Sequence, residues 1–329
     1  KTITSENINE VYPTYYPPRK TPKECYEQII ADLTDAEQYA PDNDNSDRTK
    51  MTKTVAQAML AKVYAEKEVQ DYDKVIAYAD KVMKTTGVEL EDSYETLWGY
   101  DETAKDCMKR NTKEGILEVH WTTGSGNWET WMYGRQLDNW DYYFTWAKWI
   151  TPSRDIINDF DKEGDEVRKN QAVVYYACTW SNYYPASNYP FMYKLRSSYN
   201  NIYWVRLADI ILMKAEAEAY KGNLAESAKL VNQIRKRAKL KELTSDKTGS
   251  KESMIEAVLH ERRLELAFEG ERWFDLCRNN KVEKYLNGID NRDSGRIRQV
   301  RQFDSNSYLL PIPQTALDQN TNLEQNPGY

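Results

Sequence analysis

Histidine is almost missing from this chain. His120 and His260 are the two in 329 residues, and the four cysteines, at 25, 107, 178 and 277, form no CxxC and no Cys/His cluster. Such spacing works against a zinc site or a dithiol redox motif. The cysteines read as scattered residues, and their positions leave open whether any pair bridges. No run of 18 apolar residues occurs, so no segment reads as a membrane-spanning helix. Cations are in deficit as well: 45 Lys and Arg against 52 Asp and Glu give a formal charge of −7 and a pI near 5.2. That field works against nucleic acid, whose binding rests on clustered Lys and Arg. A signal peptide is absent too, but the chain opens on Lys1 and KTITSENINEVYP reads as mid-chain loop. N-terminal sequence is therefore expected to precede it, and the missing signal assigns no compartment.

Helical periodicity and aromatic residues are what the sequence has in quantity. The first 20 residues, with PTYYPP, read as an extended surface segment. Thr21-Pro22 followed by Glu24 is an N-cap signal, and Tyr26, Ile29, Ile30, Leu33 and Ala36 continue at helical spacing until Pro41 and the DNDNSD run. From Thr54 two helices joined by a short turn are predicted, and the plan returns 152 residues later: Leu60, Tyr72, Ile76, Ala79 and Val82 correspond to Leu212, Leu224, Ala228, Val231 and Ile234. This is a degenerate tetratricopeptide-like pairing, a broken superhelix carrying an insertion. Between the copies the composition changes. Residues 121–149 hold six of the ten tryptophans, and residues 175–204 add eleven aromatics. PSRDIINDF, residues 152–160, reads as a short helix with proline at its N-terminal turn.

The densest stretch is ERRLELAFEGERWFDLCRNNK, residues 261–281. Its acids and bases stand at spacings that allow pairing on a helix surface, while Leu264, Ala267, Phe268, Trp273, Phe274 and Leu276 are expected to face inward. A long helix ending at Gly270 and a shorter one after it, tied by ion pairs, is the reading preferred over a catalytic centre, which would need a cleft. The acidic loop DFDKEGDE imitates the start of a calcium loop, but Asn170 stands where the closing Glu belongs. That loop and DNDNSD read as solvated, with no metal or other cofactor expected.

The 261–281 stretch resembles the signature near the C-terminus of the SusD/RagB family, the outer-membrane nutrient-binding lipoproteins of Bacteroidetes-type bacteria. VRLADIILMKAEAEAY with VNQIRKRA, TVAQAMLAKVY, PSRDIINDF followed by an acidic loop and Arg168, and the ending LLPIPQTALDQNTNLEQNPGY agree with it in order. The resemblance implies a mostly α, SusD-like fold, with tetratricopeptide-like hairpins carrying long irregular aromatic-rich loops and little strand. It implies one SusD-like unit over 1–329, with a hairpin region at 21–86, the aromatic-rich insertion at 87–202 and a helical C-terminal region at 203–329. The implied role is non-catalytic capture of an oligosaccharide or polysaccharide at the outward face of the outer membrane, with a SusC-like TonB-dependent transporter as partner. Family members are longer at the N-terminus, so the lipid anchor is expected to lie outside this chain.

Sugar rings stack their C–H faces on Trp and Tyr while their hydroxyls need polar partners. Residues 121–146 offer both, and the candidate ligand residues are Trp128, Trp131, Tyr133, Arg135, Asn139, Trp140, Asp141 and Tyr142. SNYYPASNYPFMY, residues 181–193, is a second candidate, for ligand or for the transporter. Two other functions compete. A peptide- or protein-binding scaffold would use the hairpin grooves. A glycan-cleaving enzyme would have to draw on Glu118, Glu129, Asp138 and Asp141, among which spacing assigns no acid and base.

Overall fold

The computed structural model describes residues 4–11, 15–101, 103, 106–121, 151–178, 181–196, 200–293 and 301–329. Helix α1, Pro22–Tyr39, starts as its sequence signals: the Thr21 hydroxyl accepts from the Glu24 amide and the Glu24 carboxylate accepts from the Thr21 amide. None of its residues is fully buried; Ile30 and Leu33 lean on the cluster around Leu60 and Tyr64, whereas Ile29 stays outside. The opening segment is not extended throughout, since Ile8–Val11 forms a helical turn. Its end is tied to the C-terminal tail: Asn320 and Asn322 donate to the carbonyls of Pro17 and Tyr16, and Arg19 donates to Asn326.

Helices α2, Lys53–Ala65, and α3, Tyr72–Met83, form the first hairpin, capped by Thr52 and Asp71. Next come the short α4, Tyr94–Trp98, and strand β1, Gly115–His120. Beyond the 121–151 interval stand α5, Arg154–Glu163, α6, Glu166–Ala172, and strands β2, Val173–Tyr176, β3, Tyr189–Met192, and β4, Asn201–Arg206. β1 pairs antiparallel with β4 and β2 with β3. The second hairpin is α7, Leu207–Lys221, with α8, Leu224–Arg237; then come α9, Lys251–Glu265, and α10, Arg272–Arg278.

The repeat seen in the sequence is a packing unit. α7 lies against both helices of the first hairpin as well as against α8 and α9, and it is buried from Leu207 to Ala219. Val55, Ala58, Ala79 and Val82 meet Ile211, Ala215, Val231, Ile234 and Val258 in one core. A helix covered on all sides should be apolar all round. α7 instead carries Asp209, Lys214 and Glu216, and each has a partner: Asp209 pairs with Arg262 at 2.7 Å, Lys214 with Asp80 at 2.7 Å, and Glu216 with Arg278 at 2.6 Å. Gly222 ends α7 at φ +85°, with nothing near where a Cβ would stand. Gly222→Ala is therefore expected to cost about 1 kcal/mol through backbone conformation alone, read as a lower urea midpoint at unchanged m-value.

Two expectations for residues 261–281 fail. α9 ends at Glu265, five residues before Gly270 (270 − 265), because the Glu265 carbonyl is taken by Tyr94 Oη at 2.7 Å, Arg206 Nη2 at 2.8 Å and Lys194 Nζ at 3.1 Å. Phe268 then turns the chain at φ +66°, a rare conformation for an aromatic residue. Phe274 is 56% exposed rather than inward. On α10 the buried positions belong to Asp275, Leu276 and Arg278, and the two charges are held there by Arg262 and Glu216. The DFDKEGDE run is not a solvated loop either. It is the last turn of α5 capped by Gly164, with Asp159 paired to Arg263 at 2.5 Å and Glu163 to Arg235 at 3.0 Å.

Candidate ligand-binding cavity

The aromatic residues that line a cavity come from distant parts of the chain. Trp98 ends α4, Trp121 follows β1, Tyr203 and Trp204 stand on β4, Phe268 sits in the α9–α10 turn, and Trp273 begins α10. They enclose a space of about 670 Å³, with Lys194, Arg262, Arg263, Glu269, Arg272 and Asp275 also in its wall. Trp98 and Tyr203 meet edge to face at 5.1 Å between centroids, and Trp273 is backed by Phe303 at 6.0 Å.

Trp204 owes its position to a bulge. Glu118 opposes Tyr203, while the preceding Leu117 opposes Val205, so Trp204 is the extra residue on β4. A bulge re-aims a side chain, and Trp204 is 65% exposed between buried neighbours. β1 is held beneath it by Glu118, whose carboxylate accepts from the Asn111 amide, the Thr112 amide and hydroxyl and the His120 ring at 2.7–3.0 Å. Gly115 allows this, since a Cβ there would stand 2.1 Å from Glu118 Oε1.

The charged residues behind the wall form a connected lattice. Arg206 pairs with Glu114 at 2.8 Å, with Glu265 at 2.6 Å and with Glu269 at 2.6 Å. Arg168, fully buried, pairs with Asp165 at 2.5 Å, Glu261 at 2.6 Å and Glu265 at 3.2 Å, and Arg237 bridges Glu114 and Glu265. Burial alone would raise the Glu265 carboxyl, but Arg237, Arg206 and Arg168 outweigh it and hold it far below the usual range. The hydrogen bond from His260, then, against burial, the charge of Arg235, bring Glu163 down to about 2. A folded-state value below the unfolded one means stability that is complete above the unfolded value near 4.5 and is lost as pH falls toward 2. Urea midpoints at pH 7, 4 and 3 are expected to decline in that order, most steeply at the acid end; a flat series would contradict the lattice.

Lys194 has the opposite setting. Its ammonium lies 4.6 Å from the Trp98 ring and 2.5 Å from Glu269, and burial, only partly offset by Glu269, lowers it to about 8. A second hollow, of about 810 Å³, is lined by Arg154 and Tyr183–Ala186. There the Arg154 guanidinium covers the rings of Tyr183 and Tyr184 at 4.5 and 4.1 Å.

The residues singled out from the sequence, Trp128, Trp131, Tyr133, Arg135, Asn139, Trp140, Asp141 and Tyr142, lie outside the described residues, as do Glu129 and Asp138. The first residue of that segment, Trp121, is described and is in the cavity wall. Trp98, Trp204 and Lys194 are not among the residues expected from the sequence; Phe268, expected to face inward, does pack on the Leu264–Ala267 cluster and also lines the cavity, as does Trp273. The available signals were a Trp placed opposite buried neighbours in NIYWVR and a glycine breaking the apolar run in FEGERWF.

Comparison with known proteins matches this architecture to one family over residues 14–329. The chain belongs to the SusD family. Two SusD-like proteins of Formosa agariphila are similar to it: P2 is 28% identical over 94% of this chain and 66% of its own length, and P38 is 36% identical over 39% of this chain and 25% of its own. The chain thus spans less than two thirds of either. Among solved structures, a SusD superfamily protein from Bacteroides thetaiotaomicron (25% identical, 96% of this chain, 68% of that one) and a putative sugar binding protein from Bacteroides vulgatus (25%, 96% and 68%) both superpose with a TM-score of 0.74. A laminarin-binding SusD-like protein shares the fold, with a TM-score of 0.69 at 24% identity over 94% of this chain and 70% of that one. The mostly helical, SusD-like fold read from the sequence is the one found. No helix among the described residues is long and apolar enough to cross a membrane.

Proposed function

We propose that this SusD-family chain binds an oligosaccharide or polysaccharide without cleaving it, at the outward face of the outer membrane, and passes it to a SusC-like TonB-dependent transporter. The observation that carries the binding is the cavity walled by Trp98, Trp121, Trp204 and Trp273. Aromatic walls with a few polar groups suit sugar rings. The laminarin-binding and sugar-binding descriptions of two proteins of this fold support the same reading.

The acids near the cavity support binding over hydrolysis. Glu269 is paired with Lys194 and Arg206, Asp275 with Arg262 and Arg278, and Glu118 is spent on the 111–112 turn. Hydrolysis would need one acid to donate and a second to act as base or nucleophile. Tryptophan fluorescence titrated with plant, host and microbial oligosaccharides tests the proposal. Saturable quenching with no release of reducing ends is expected. No response to any sugar would sink the binding role, and sustained release of reducing ends would sink the non-catalytic one.

A further inference from the structure

The cavity wall has more donors than acceptors. Of its four cations, Lys194 is paired with Glu269, Arg262 with Asp209 and Asp275, and Arg263 with Asp155 and Asp159. Arg272 forms no ion pair among the described residues: one of its nitrogens donates to the Leu259 carbonyl at 3.0 Å, and its guanidinium stacks over Tyr285 at 4.8 Å. Wall carboxylates offer no surplus, since Glu269 and Asp275 each meet two cations.

A half-buried guanidinium that forms no ion pair among the described residues, in an aromatic wall where four cations stand against two acids, is the complement of a ring that carries a negative charge. We propose that the cavity takes an acidic sugar residue, a uronate whose ring lies against the tryptophans and whose carboxylate is met by Arg272. Guanidinium and carboxylate are planar and match in a two-pronged pair, stronger than a neutral hydrogen bond. Burial and the neighbouring Arg263 push the Arg272 guanidinium down to about 10, so it stays charged at neutral pH in a setting that an anion relieves. The inference rests on the glycan-binding role proposed above and adds the class of sugar.

Matched pairs of oligosaccharides separate the two claims. Calorimetric titration of the full chain would use oligogalacturonate, oligoguluronate and oligoglucuronate, each beside its carboxyl-reduced neutral form, with a sulfated oligosaccharide as a further arm. At least one uronide is expected to bind about tenfold tighter than its reduced form. Arg272→Gln is expected to bring that ratio close to one, and Arg272→Lys to keep part of it. Thermal melts of both variants establish that they fold; should Arg272→Gln fail to fold, the uronide preference of the parent and of Arg272→Lys decides. Equal binding of acidic and reduced forms, a ratio that survives Arg272→Gln, or preference for the sulfated sugar over every uronide overturns the uronate assignment and leaves glycan binding standing. No binding by any sugar overturns both.

Discussion

Glu265→Ala is expected to lower the free energy of unfolding by about 3–5 kcal/mol, the cost of removing one partner from a buried ion pair. The effect should fall at the upper end, because this carboxylate is shared. Arg168, Arg206 and Arg237 all reach it, and all three side chains are at most 4% exposed. Deleting it leaves Arg206 with Glu114 and Glu269, Arg168 with Asp165 and Glu261, and Arg237 with Glu114 alone. Urea unfolding followed by far-ultraviolet circular dichroism would show a lower midpoint at a similar m-value. A loss indistinguishable from that of breaking the exposed Lys20–Glu24 pair would mean that the lattice adds little beyond packing.

The lattice also explains how α9, α7 and the strand β4 are fixed relative to one another. Asp209 and Glu216 on α7 reach Arg262 on α9 and Arg278 on α10, while Arg206 at the end of β4 reaches Glu265 and Glu269. Apolar contacts alone tolerate sliding between helices; paired charges at defined positions do not. The same arginine, with Tyr94 and Lys194, ends α9 by capturing the Glu265 carbonyl. The turn so created places Phe268 and Trp273 in the cavity wall. Structural charge and candidate site are thus one piece of architecture.

What could be read from sequence follows the reach of each interaction. The Thr21–Glu24 cap and the Leu60/Leu212 repeat depend on residues a few positions apart, and the described structure contains them as periodicity placed them. The pairing character of residues 261–281 was legible because nearly every acid there had a base nearby, and Asp275 does pair with Arg262 and Arg278 inside the stretch, although Glu261, Arg263, Glu265, Glu269 and Glu271 find their partners in other elements. The end of α9 was not legible: Gly270 is the local stop signal, and it was overruled by donors from positions 94, 194 and 206. The cavity was hidden for the same reason. Trp98 and Trp273 are 175 positions apart (273 − 98), and although alternation in NIYWVR sets Trp204 apart from its buried neighbours, nothing local joins it to the other two.

Trp204→Ala is expected to weaken glycan binding about thirtyfold, close to 2 kcal/mol, while leaving the unfolding midpoint nearly unchanged. The two halves of this expectation come from one fact: the side chain is 65% exposed, so the folded chain gains little from it, yet it stands in the wall where a sugar face would be covered. Trp98 supplies the contrast. It is buried against Tyr203 and Lys194, and Trp98→Ala is expected to cost about 3–5 kcal/mol of stability through the void it leaves. A loss of affinity in that variant would therefore be uninformative about contact with ligand, whereas Trp204 can lose affinity only through the surface it presents. Fluorescence titration and urea unfolding of Trp204→Ala, run on the same preparation, separate the outcomes. Unchanged affinity with unchanged stability would remove this cavity from the binding surface and move the site to the 122–150 segment alone.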